Sequence, residues 1–254
     1  MATYLVVAAH PDDPDFGVAG TAARLARDGH AVHYVMCTSG DAGSDDPTIP
    51  PEALMRTREA EQAAAGQILG LAGVHFLRFR DGELQPTLEL RKALVRTMRQ
   101  LKADVVLCQD PRSIVDDDST YLNHPDHRAA GQAAVDAAFP AAGNPSAFRD
   151  LLAEGLAPHK VREVWLFFGG GQHANHWVDI SDTIEQKIQA LAAHASQIGD
   201  WATTGGLRTE MQRWASETAT RHRLGYQYAE SFQRIVLIRD EAVPADVQPA
   251  EEQA

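Results

Sequence analysis

Two short clusters hold most of the chemistry-bearing side chains of this 254-residue chain, His10-Pro11-Asp12-Asp13 and His124-Pro125-Asp126-His127. Together they offer imidazole nitrogens, carboxylate oxygens and a spare carboxylate, the donor inventory of a hydrolytic zinc site. His10 and Asp13 lie on a loop tightened by Pro11, so both can aim at one point. His127 falls near the start of a helix, because Pro125 suits a first helical turn. With His10, Asp13 and His127 as ligands, a fourth tetrahedral position stays open for water, whose pKa bound Zn²⁺ lowers to about 7. Neighbouring side chains diverge, so Asp12 is placed as general base and not as a further ligand. His124 is positioned to stabilise a forming oxyanion if protonated, and Asp126 to orient one imidazole. Either cluster alone would read as a turn or a surface pattern. Their joint occurrence, one directly ending an apolar strand, is far more specific.

The elements that must position these residues alternate along the chain. Strands are expected at 4–9, 31–38, 75–79, 104–108 and 163–168. Helices are expected at 17–27, 51–69, 87–101, from 127 to about 138, at 182–196 and at 207–223. Such alternation predicts an α/β fold, a Rossmann-like, mostly parallel sheet with helices on both faces. Its ligand site belongs at the C-terminal ends of the strands, where the loops after Thr38, Phe79 and Cys108 join the His10 loop. Nucleotide binding at the first turn is disfavoured, because Asp12, Asp13 and Asp15 precede any glycine and would repel a phosphate. Residues 1–239 are read as one domain and 240–254 as a flexible acidic tail.

Composition narrows the partners. Asp and Glu number 35 against 23 Lys and Arg, a net charge of −12 that argues against nucleic acid. No apolar stretch is long enough to span a bilayer. Cys37 and Cys108 fall in expected core strands and read as buried thiols of a reducing compartment, so a cytoplasmic location is expected. Aromatic residues late in the chain (Trp201, Trp214, Tyr226, Tyr228) suit core packing, sugar stacking or homo-oligomer contacts. His173 and His176 follow a glycine run and are read as loop residues; His194, on an apolar helix face, is read as a buried hydrogen-bonding residue.

Ala9-His10-Pro11-Asp12-Asp13 with His124-Pro125-Asp126-His127 resembles the PIG-L/LmbE-like zinc de-N-acetylases. The likeness extends to Arg56-x-x-Glu59 and its Ala-rich helix, Phe79-Arg80-Asp81-Gly82, Val178-Asp179-Ile180-Ser181, Lys187 and His194-Ala195-Ser196-Gln197, from about residue 4 to 235. It implies one Zn²⁺ per chain, replaceable by other divalent metals, on His10, Asp13 and His127, with Asp12 as base and His124 as stabiliser. It further implies that Arg56 and Asp81 touch substrate hydroxyls, and that the substrate is a small N-acetylated amino sugar or glycoside. Thiol-precursor glucosamine compounds, chitin oligomers and antibiotic sugars all fall in that class. One departure stands out: Leu122 occupies the place of a tyrosine found in the thiol-precursor branch, with Tyr121 one step further off. Two other readings compete, a non-haem Fe(II) oxygenase with a two-His, one-carboxylate triad and a non-catalytic Rossmann-like sugar-binding protein. The first gives Asp12 no task; the second leaves the whole residue set without use.

Overall fold

A computed structural model describes residues 1–115, 122–169 and 173–238. The expected tail and Tyr121 lie outside these residues. The apolar run of β1 (Thr3–Ala8) is buried on both faces, Leu5, Val6, Val7 and Ala8 each being at most 1% exposed. Such a strand belongs at the centre of a covered parallel sheet. It lies between β2 (Ala31–Thr38) and β4 (Val105–Gln109), parallel to both. β3 (Gly73–Phe79) continues the parallel pairing beyond β2, and β5 (Glu163–Phe167) beyond β4. β7 (Ala229–Val236) then runs antiparallel to β5, and β6 (His176–Asp179) antiparallel to β7. The sheet order is β3-β2-β1-β4-β5-β7-β6.

Alternate residues of β1 feed two cores. Leu5 and Val7 pack with α3 (Leu88–Leu101) and α4 (Pro125–Asp136) on one face. Val6 and Ala8 pack with α1 (Asp13–Arg27) and α2 (Pro51–Leu69) on the other. α3 shows how the pattern works: Leu90, Leu94, Val95 and Met98 form its buried stripe, and the Thr87 hydroxyl accepts from Leu90 N at 3.2 Å as the cap. α2 begins at Pro51 and stops at left-handed Gly70. The α/β architecture with helices on both faces therefore follows the sequence expectation.

The C-terminal third departs from it. β6 and β7 were not expected as strands, because β6 is short and half-buried and β7 carries Glu230, Gln233 and Arg234 among its apolar residues. The helix expected over 182–196 breaks: α6 (Ile184–Ala192) ends, the His194 ring turns inward, and α7 (Ala195–Ile198) restarts after it. A short α5 (Arg149–Ala153) and α8 (Asp200–Thr203) also stand outside the expected set, whereas α9 (Gly206–Arg221) falls where a helix was placed.

Candidate active site

Chain order reverses between β1 and β4, and open parallel sheets present their ligand crevice at that switch point. The loop leaving β1 delivers His10 and Asp12 there and α1 opens on Asp13, while the segment after β4 leads to α4, which opens with Pro125. The two sequence clusters, over a hundred residues apart, therefore meet.

Asp13 bridges two imidazoles. Its Oδ2 lies 3.2 Å from His10 Nδ1 and accepts from His10 N at 2.8 Å; its Oδ1 lies 3.0 Å from His127 Nε2. Burial alone would raise its pKa, but His127 and His10 hold it well below the carboxylate range. His10 moves the other way: against the effect of burial, the Asp13 charge and contacts to Asp126 and Asp81 raise it well above the usual imidazole value. Ring nitrogens of His10, His124 and His127 all come within 4.8 Å of one another.

The other nitrogen of each bridged ring is already committed. His10 Nε2 faces Asp81 Oδ1 at 2.9 Å and Asp126 Oδ2 at 3.4 Å. Asp126 also accepts from Gly82 N (2.8 Å) and Leu84 N (3.3 Å), so one buried carboxylate ties α4 to His10 and to the segment after β3. His127 Nδ1 sits 2.8 Å from Asn123 Oδ1, and Asn123 Nδ2 donates to Ser113 O at 2.8 Å. The amide oxygen must then accept from His127, which places a proton on Nδ1 and leaves Nε2 as the nitrogen that faces Asp13. His10 Nδ1 and His127 Nε2 face the Asp13 carboxylate from two sides, with His124 beside them, and these groups could hold a cation. Asp13, Asp81 and Asp126 are all buried around the His10 ring, an excess of carboxylate that a divalent ion would neutralise. The donor set fits a metal.

Asp12 stands beside this cluster with φ at 87°, a left-handed backbone rare outside glycine. Burial and the adjacent Asp13 charge push its carboxyl up to about 7, partly opposed by Arg58. His124 caps α4, its Nδ1 accepting from Asp126 N at 3.2 Å, so any proton on the neutral ring resides on Nε2. Burial and the His10 charge lower its pKa, which favours that neutral form.

The substrate-side expectations divide. Asp81 is buried at the centre, with Oδ2 accepting from Ala42 N at 3.1 Å. Arg56 is exposed on α2. The arginine that reaches the cluster is Arg58, 4% exposed, whose Nη2 donates to Pro11 O (2.8 Å) and lies 3.4 Å from Asp12 Oδ2. Sequence reasoning passed over it, and over Asn123. The signal was there in α2, whose buried stripe Leu54, Arg58, Gln62, Ala65 and Leu69 carries polar residues at core positions. His176 packs on Trp165 in the sheet, ring centroids 4.5 Å apart, away from the cluster. His173 lines a hollow of about 240 Å³ with Asp110, Trp214 and Phe168, whose ring stacks on His127. His194 is fully buried and bonded to Asp15, the structural role expected of it.

Known proteins resemble this chain over most of its length. Diacetylchitobiose deacetylase of Thermococcus kodakarensis is 36% identical over 193 residues, 76% of this chain and 69% of that protein. A 1D-myo-inositol 2-acetamido-2-deoxy-alpha-D-glucopyranoside deacetylase of Rhodococcus erythropolis is 30% identical, over 76% of this chain and 80% of its own. Among solved structures, N,N'-diacetylchitobiose deacetylase from Pyrococcus horikoshii superposes with a TM-score of 0.81 at 29% identity, covering 92% of this chain and 84% of that one. Residues 5–138 match the PIG-L family, described as GlcNAc-PI de-N-acetylase. The chain belongs to the PIG-L family of de-N-acetylases, the family its two histidine–aspartate clusters resemble.

Proposed function

We propose that this hydrolase removes the acetyl group from an N-acetylglucosamine-type sugar or glycoside, using one Zn²⁺ held by His10, Asp13 and His127. The observation that carries the reading is the Asp13 carboxylate bridging His10 Nδ1 and His127 Nε2 with the Asp12 carboxyl beside it. When bound, the metal supplies Lewis acidity, both to the attacking water and to the amide carbonyl. Asp12 takes the proton from that water at a carboxylate oxygen and passes it to the amide nitrogen, so that the amine leaves neutral. His124 presents Nε2–H to the carbonyl oxygen as charge develops on it, which a neutral donor does without repelling the cation. Asp126 and Asp81 hold His10, and Asn123 holds His127.

An Fe(II) oxygenase would leave Asp12 without a task, and a sugar-binding protein without catalysis would have no use for its strained backbone; membership of a hydrolytic family supports neither. The free, buried Cys37 and Cys108 support a reducing, cytoplasmic setting. Among the described residues no helix is long and apolar enough to cross a membrane. Exposed Phe139, Trp214 and Tyr226 support self-association. The test is acetate release from N,N'-diacetylchitobiose, N-acetylglucosaminyl-inositol and N-acetylglucosamine itself, before and after chelation and after Zn²⁺ is restored. Release abolished by the chelator and recovered with Zn²⁺ is expected; release indifferent to chelation, from a protein shown to be metal-free, contradicts the proposal.

A further inference from the structure

The backbone of Asp12 is held by a chain of buried side chains that the reaction itself does not use. The Pro11–Asp12 peptide is gripped at both ends by residues one turn apart on α2. Arg58 Nη2 donates to Pro11 O at 2.8 Å, and Gln62 Oε1 accepts from Asp12 N at 2.9 Å. Gln62 does not end there: its Nε2 donates to Asp15 Oδ2 at 2.8 Å, and the same oxygen lies 2.7 Å from His194 Nε2. Gln62, Asp15 and His194 are each 0% exposed. The amide orientation follows from its partners, because a backbone N–H can only donate and the Asp15 carboxylate, when ionised, can only accept. Glutamine is the side chain that satisfies both; glutamate would face Asp15 with a second carboxylate, and leucine would satisfy neither. On the far side, Arg58 Nη1 donates to Gly40 O at 3.2 Å, and glycine is needed there, since a Cβ on Gly40 would lie 2.2 Å from Nη1.

We infer that Gln62, locked by Asp15 and His194, is a positioning residue that holds the left-handed Asp12 backbone and thereby aims the general base. A residue in this conformation relaxes unless its surroundings over-determine it. Loss of the Gln62 contact frees the Asp12 N–H and lets the carboxylate swing, while His10, Asp13 and His127 keep their own partners. The inference rests on the assignment of Asp12 as base in the proposed reaction.

A double-mutant cycle on the full chain with Zn²⁺ tests it. Gln62→Leu is expected to lower kcat by about 10- to 100-fold, the cost of a misplaced group. KM should stay within about twofold and zinc content should not change. In an Asp12→Ala background the same substitution should cost less than about twofold, because the group it aims is gone. An equal loss in both backgrounds, or a wild-type kcat in Gln62→Leu, overturns the inference. Asp12→Ala at the wild-type rate would instead overturn the base assignment, so the two failures are distinct. If Gln62→Leu does not fold, Gln62→Met, closer to glutamine in shape, removes the same two bonds and is read in the same cycle. Its loss of kcat should likewise vanish in Asp12→Ala; an equal loss in both backgrounds counts against the positioning role.

Discussion

At the residue scale the site is a matter of which nitrogen each imidazole leaves free. Asn123 decides this for His127, and Asp81 with Asp126 for His10. Partners of this kind set ligand orientation and basicity, and their loss commonly costs 10- to 100-fold in metal affinity. Asn123→Ala should therefore weaken Zn²⁺ binding by about that factor without deleting a ligand, as measured by competition with a chromogenic chelator; unchanged affinity would show that His127 needs no such partner. The ligand and base candidates were legible in the sequence because their chemistry is concentrated in two contiguous clusters. Arg58, Gln62 and Asn123 were not, because their use depends on helix phase or on a loop partner. Two positions along a helix is roughly 200° around its axis, so choosing Arg56 over Arg58 selects the solvent face in place of the buried one.

At the element scale, α4 must approach β4 closely to bring His127 to His10. Gly131 allows it, since a Cβ there would lie 2.1 Å from the Gln109 carbonyl oxygen. Gly131→Val is expected to cost about 1–3 kcal/mol of stability in denaturant melts and to weaken metal binding, because the helix that carries His127 must move outward. A variant as stable and as tight as wild type would deny the close approach. The antiparallel pair β6–β7 makes a separate statement about pH. The His176 imidazole, packed against Trp165, is pushed down to about 4, by burial first and by Arg234 second. A folded value below the unfolded 6.5 means the fold prefers neutral His176. Its contribution is constant above pH 6.5 and declines as pH falls from 6.5 to 4, at no more than about 1.4 kcal/mol per pH unit. His176→Phe should flatten that part of the stability–pH curve relative to wild type; parallel curves would refute the assignment. These two strands escaped sequence reading for a physical reason, since buried polar residues such as Glu230 interrupt the alternation that marks a strand.

At the scale of the whole molecule, the C-terminal elements are fastened to the catalytic half by buried charge. Lys187 Nζ on α6 donates to Glu230 Oε1 (2.6 Å) on β7 and to Phe16 O (2.7 Å) on α1. Glu230 in turn accepts from Gly20 N (3.1 Å) and Thr21 N (2.8 Å) of α1, the helix that begins at Asp13. Lys187→Met leaves the Glu230 charge buried and unpaired, and should destabilise the protein by about 3–5 kcal/mol; a Glu230→Gln/Lys187→Met double variant should recover part of that loss. A melting temperature unmoved by Lys187→Met would contradict the fastening. In the proposed reaction His10, Asp13 and His127 hold one divalent ion while Asp12 moves the proton. This division of roles is tested most directly by measuring bound zinc and acetate release together in Asp12→Asn and His127→Ala. Asp12→Asn is expected to keep one zinc per chain with kcat reduced about 10²- to 10⁴-fold, and His127→Ala to lose its zinc along with its activity. Full activity in Asp12→Asn, or stoichiometric zinc of unchanged affinity in His127→Ala, would contradict it.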